Sequence, residues 1–195
     1  MHNRRAFIQS GLSYLGLLAI SGGTMFLAAC ASVVNDLVTA FQSILNILAG
    51  AGLVPGGALV VTALQNVLSA VTAYENAPAA DKVTLGEKLA TIIAIAQADL
   101  QTWFAGLNLT GTLATVIESL VAVILGTLAG LLPTLPQPAF IPDEVRAAKS
   151  LPHQVTYTPV ATITLTKGGL KSASQAFRAS FNSKLTASGY GKAFN

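Results

Sequence analysis

Few residues of this chain could do chemistry by themselves. There is one cysteine, Cys30, and there are two histidines, His2 and His153. A zinc cluster or a di-iron carboxylate bundle needs several imidazole or thiolate ligands at helical or short-loop spacing, and this pattern is missing. No Gly-x-Ser-x-Gly elbow, Walker A loop or dinucleotide fingerprint occurs either. A Ser-His-Asp arrangement through His153 and Asp143 is open to the sequence, but a lone histidine after Pro152 reads more simply as a solvated loop residue. The acids Asp36, Glu75, Asp99 and Glu118 stand at spacings that usually make the polar face of a helix. Glu118 is the one to watch, because Val116, Ile117, Leu120 and Val121 surround it; burial or a place at a helix end are its two readings. The expectation is therefore a protein without a catalytic constellation, metal site or cofactor.

What remains reactive is Cys30, and the residues ahead of it say how it is used. The chain opens with a short basic segment, MHNRRAFIQ, followed by an apolar stretch and small residues before the cysteine, the layout of an export signal. Arg4-Arg5-Ala6-Phe7-Ile8 resembles the twin-arginine translocation motif, although Asn3 and Gln9 depart from its usual Ser/Thr and Lys. Leu27-Ala28-Ala29-Cys30 is similar to the lipobox of bacterial lipoproteins. That resemblance implies that the Cys30 thiol takes a diacylglyceryl group and becomes the mature N-terminus. The expected partner at Cys30 is therefore membrane lipid, and the expected location is the bacterial envelope, on its periplasmic side or at the cell surface. Acyl chains contribute ~0.8 kcal/mol per buried methylene, so two or three of them hold a protein on a bilayer where one does not.

Composition and charge bound the rest. Hydrophobic residues make up 52 % of the chain and charged ones 10 %, against about 25 % charged in an average soluble domain, so a large apolar core has to be covered by few ions. The formal charge of +3 hides an asymmetry. All 8 acids lie between Asp36 and Glu144, where the only bases are Lys82 and Lys88. After Glu144 there are only bases: Arg146, Lys149, Lys167, Lys171, Arg178, Lys184 and Lys192. An acidic body with a basic arm could turn that arm toward an anionic membrane surface, an envelope protein or the body itself. Nucleic acid is not an expected partner, because export removes it and no recognition module surrounds these bases.

These groups must be carried by helices. Val34, Leu37, Phe41, Ile44 and Leu48 recur at steps of three and four, with Asn35, Asp36, Thr39 and Gln42 off that face. Glycines and Pro55 then interrupt the chain, and Val60, Leu64, Val67, Val71 and Tyr74 form a second stripe. A third face is supplied by Leu85, Leu89, Ile92, Ala96, Leu100 and Trp103 or Phe104, and a fourth by Leu113, Ile117, Leu120, Ile124, Leu128 and Leu131 before Pro133. Four amphipathic helices with short connections predict an all-α fold, a four-helix bundle. The fourth helix is apolar nearly all round and carries Gly126 and Gly130, a GxxxG pair that lets two helix backbones approach. Between Glu118 and Pro133 it reaches only ~21 Å, short of a ~30 Å hydrocarbon core, which favours a buried central helix over a membrane span.

The expected division is a signal at 1–29, the bundle at 30–132, a Pro-rich linker at 133–152 and a basic extension at 153–195. In the extension, Val155 to Thr166 alternates like one strand or a hairpin, and Leu170, Ala173, Phe177, Phe181 and Leu185 mark a short amphipathic helix. Lys167, Lys171, Arg178 and Lys184 on that helix form the expected basic partner surface. The functional expectation is a lipid-anchored structural or interaction module; the alternative is a bundle that inserts into a membrane or binds an apolar ligand.

Overall fold

A computed structural model describes residues 32–136 and 141–195. The export and lipobox residues Arg4, Arg5, Phe7, Leu27, Ala28, Ala29 and Cys30 lie outside the described residues. Helix α1 spans Ser32–Gly50, α2 Ala58–Asn76, α3 Lys82–Gly106, α4 Gly111–Leu131, α5 Asp143–Lys149 and α6 Lys167–Ala187, with single 3-10 turns at Ala79–Asp81 and Leu132–Thr134. The fold is all-α.

Local signals set the helix ends. After α1, Gly52 takes a left-handed φ of 79°, its N–H donates to the Ala49 carbonyl, and the Leu53 N–H reaches back to Leu48 at 2.9 Å. That is a Schellman stop, which satisfies carbonyls the helix cannot use itself. Gly189 repeats the device after α6, with φ 82° and a Tyr190 N–H to Leu185 bond of 2.9 Å. At the other end of α6 the Thr166 hydroxyl accepts the Gly169 N–H at 3.2 Å, an N-cap worth about 1 kcal/mol.

The apolar stripes become one core. Helix α1 packs on α2, α4 and α6, while α3 packs on α2, α4 and α5. Val33, Val34, Leu37, Phe41, Ile44 and Leu48 are fully buried, as are Leu64, Val67 and Val71 of α2 and Ile117, Leu120, Ile124 and Leu128 of α4. Side chains of this size stabilise a fold by about 1.5–3 kcal/mol each when buried. Among the described residues two helical segments, Val33–Gly50 and Gly111–Thr134, are long and apolar enough to cross a membrane, and 67 % of the second is buried against the rest of the chain.

Neighbouring contacts fix which ends meet. Gly57, before α2, lies against Leu45 and Phe41 of α1. Gly86 in the first turns of α3 lies against Tyr74 near the end of α2 and Pro136 beyond α4. The starts of α1 and α3 and the ends of α2 and α4 therefore share one end of the fold. The α1–α2 and α3–α4 connections share the other.

Three expectations require correction. Val155 to Thr166 forms neither a strand nor a hairpin; among the described residues there is no strand. The segment runs extended as a strap over α4, where the Val160 N–H donates to the Gly126 carbonyl at 3.2 Å and the Ile163 N–H to Gly130 at 2.7 Å. Gly126 and Gly130 therefore admit an extended chain, not a second helix. A Cβ at Gly126 would stand 2.5 Å from the Thr158 carbonyl oxygen, and one at Gly130 would meet that of Ala161 still more closely. The reason is that two missing side chains expose helix carbonyls which a chain without a strand partner can use. The last helix, finally, is not short: α6 has 21 residues and docks Leu170, Phe177, Phe181 and Leu185, all buried, on α1 and α4.

Candidate functional site

Two polar constellations stand out against this apolar body. The first holds the strap. Gln101 sits on α3 between buried Leu100 and Phe104 and is itself 8 % exposed. Its Nε2 donates to the Val155 carbonyl at 2.9 Å and its Oε1 accepts the Val155 N–H at 2.8 Å. One carboxamide thus replaces a partner strand and satisfies both backbone groups of a buried residue, which would otherwise cost about 1–3 kcal/mol each. One turn earlier, Gln97 donates to the Leu125 carbonyl at 3.3 Å. The third sequence stripe is displaced accordingly: Ile93, not Ile92, is fully buried, because α3 is covered by α2 on one side and by α5 and the strap on another.

Between α3, α5 and the strap an open groove of about 410 Å³ remains, floored by Ala94, Ala98, Ala148 and Val155 and edged by Gln97, Lys149 and Tyr157. Burial pushes the Tyr157 phenol above its ordinary range, so it stays a neutral hydroxyl at physiological pH. The arrangement offers an apolar floor, a hydroxyl and an ammonium. It has the size of a small-molecule site and pairs no base with a nucleophile. A smaller hollow of about 170 Å³ lies between α2 and α3 beside Asp99. Burial, and to a lesser degree the negative charge of Glu144, raises the pKa of that carboxyl.

The second constellation is a buried carboxylate. Asp36, 4 % exposed, accepts a bond from the Ser174 hydroxyl at 2.5 Å and a two-pronged pair from Arg178, Nε to Oδ2 and Nη2 to Oδ1, both at 2.9 Å. The hydrogen bonds Arg178 donates to Asp36, with the charge of that carboxylate second, raise the pKa of the guanidinium further above its ordinary value. The fork matches carboxylate geometry in a way a lysine could not. The guanidinium also lies 5.5 Å from the centroid of Phe194, which closes a ring cluster with Phe177 and Phe181. Asn182 holds that last turn in place by accepting the N–H groups of Ala193 and Phe194 and donating to the Phe194 carbonyl.

The expected basic surface is thereby divided. Arg178 is turned onto Asp36, while Lys167, Lys171 and Lys184 are exposed. Glu118 is half-buried. His153 is exposed and stacks on Phe104 with ring centroids 6.3 Å apart. No group of three His, Cys, Asp or Glu side chains suited to a metal is found among the described residues. The sequence signals for the second constellation resemble those of a surface. Asp36 stands three residues from Val33 and four from Ala40, both buried, and Ser174 and Arg178 are spaced one turn apart beside Phe177. The helical repeat puts Asp36 off the apolar face of α1, and a second helix, α6, covers that side.

The chain matches no protein-family model, and no curated protein or solved structure is similar to it.

Proposed function

We propose that this chain is an exported lipoprotein of a bacterial envelope, anchored through Cys30, whose helical body serves as a structural or interaction module. The observation that carries the proposal is the sequence Leu27-Ala28-Ala29-Cys30 at the close of a basic and then apolar leader, three residues ahead of Val33, which with Val34 is fully buried in the described core. Cleavage before Cys30 would remove the leader and leave the whole core intact. In this reading α1 to α4 form an antiparallel four-helix bundle, α6 covers its α1–α4 seam, and only Ala31 and Ser32 separate the lipidated cysteine from buried Val33.

The test is the intact mass of the protein extracted from membranes. A chain starting at Cys30 with a diacylglyceryl group is expected, and Cys30→Ser should leave the membrane fraction. An unmodified chain starting at Met1 would refute the proposal. A second reading, an apolar-ligand carrier, is favoured by the groove between α3, α5 and the strap. A single-chain fatty-acid probe should then protect Lys149 from acylation, and unchanged Lys149 reactivity at saturating probe would exclude that role for the groove.

A further inference from the structure

Cys30 precedes Ser32, the first described residue of α1, by two positions, so chain length alone holds the proposed point of attachment within about 7 Å of that residue. The structure brings a second element to that end. The strap follows α4 toward its C-terminal end, where the Thr134 hydroxyl donates to the Ile163 carbonyl at 3.3 Å, and α6 then sets out from Lys167. The start of α6 is thus at the same end as the starts of α1 and α3. Lys167 and Lys171 are exposed there. Lys184 lies 17 residues beyond Lys167 along the same helix, about 26 Å away at 1.5 Å per residue, toward the opposite end. Arg178, between them, is engaged by Asp36. The end of α2, the turn after it and the first turns of α3 bring Glu75, Asp81, Lys82, Glu87 and Lys88 to the anchor end, with the Lys82 ammonium 5.3 Å from the centroid of the Tyr74 ring. Charges of both signs therefore meet on the α2 and α3 side of that end, whereas α6 brings lysines and no acid.

We propose that this end of the fold rests on anionic lipid headgroups, with Lys167 and Lys171 as its contacts, so that the body stands upright on the bilayer. The α1–α2 and α3–α4 connections then point away from it, including Val54, 98 % exposed. The proposal rests on the lipid-anchor reading, since it is the tether at Cys30 that holds the two lysines against the surface. Lysines near an anionic surface strengthen binding roughly fivefold each. That attraction fades beyond a Debye length of about 8–10 Å, so Lys184 cannot share in it.

The experiment reconstitutes the full protein recovered from membranes into vesicles of phosphatidylcholine, with and without phosphatidylglycerol. Its lysines are then acetylated with a water-soluble reagent, and the rate at each lysine is read by mass spectrometry. Lys167 and Lys171 should react about fivefold more slowly on the phosphatidylglycerol vesicles, with the difference lost at high salt and Lys184 unaffected. Equal rates for Lys167, Lys171 and Lys184 on both vesicles, or protection of Lys184 instead, would overturn the orientation. The intact mass of the same preparation reports the anchor separately. A lipidated Cys30 with equal lysine rates refutes only the orientation, whereas an unlipidated Cys30 refutes the anchor itself.

Discussion

Replacing Gly130 by alanine sets two physical effects of opposite sign against each other. In an ordinary helix interior the exchange is favourable by about 1 kcal/mol, because glycine loses more backbone entropy on folding. At Gly130 the new methyl group would be driven into the Ala161 carbonyl, with Ile163 side-chain carbons at 3.2 and 3.3 Å. The strap has to lift, and the 2.7 Å bond from the Ile163 N–H to the Gly130 carbonyl is stretched with it. Overpacking of this kind costs about 1–3 kcal/mol and the lost hydrogen bond about 1 kcal/mol. Gly130→Ala should therefore be destabilising by a net ~1–3 kcal/mol, a fall in midpoint of several degrees for a chain of this size. Gly168 is the internal control, since a Cβ there meets nothing within 4 Å and its replacement should be neutral or mildly stabilising. Urea unfolding followed by circular dichroism measures both. Adding Gly126→Ala to Gly130→Ala should cost less than the two singles combined, because one displacement of the strap relieves both clashes. If Gly130→Ala instead gains stability as Gly168→Ala does, the strap does not lie on α4 as described.

Two further outcomes follow from the ionisable groups. Arg178→Ala leaves the Asp36 carboxylate with only the Ser174 hydroxyl, at a cost of ~2 kcal/mol in urea unfolding. This falls below the 3–5 kcal/mol of a fully buried pair because the arginine side chain is 44 % exposed; Arg178→Lys should recover little, and a full recovery would show that charge alone matters and not the fork. For Asp99 the sign runs the other way from a salt-bridged acid. Its pKa is raised in the folded state, so folding is favoured when the carboxyl is protonated, below the ordinary aspartate range, and that contribution is lost as pH rises through the raised value. Asp99→Asn should therefore stabilise the protein at neutral pH and flatten this part of its pH dependence, whereas a loss of stability at pH 7 would mean that the charged form has an attractive partner.

The charge asymmetry along the chain has a structural counterpart that bears on function. A basic arm beside an acidic body suggests a polyanionic partner, yet its central arginine neutralises the one deeply buried carboxylate of the body. What is left for a partner is smaller and placed at the helix ends. Of the four basic residues of α6, two lysines are thus left to face a membrane at the anchor end.

Helix positions and most of the core were legible in the sequence because a repeat of 3.6 residues is a local property. The stripes through Val34, Leu37 and Phe41, through Val60, Leu64 and Val67, and through Ile117, Leu120 and Ile124 all arrive buried. The same holds for Phe177 and Phe181 of α6 and for the glycine stop after α1. Local pattern cannot show how many neighbours cover a helix. Asp36 and Gln101 look like surface residues along the chain, and only the arrival of α6 and of the strap turns them inward. Val155 to Thr166 has strand-like alternation, but a strand needs a partner, and here the backbone bonds went instead to a glutamine side chain and to helix carbonyls bared by Gly126 and Gly130. Tertiary structure made that choice, because hydrogen-bond partners more than twenty residues apart in the chain are brought within reach only by the packing of the whole.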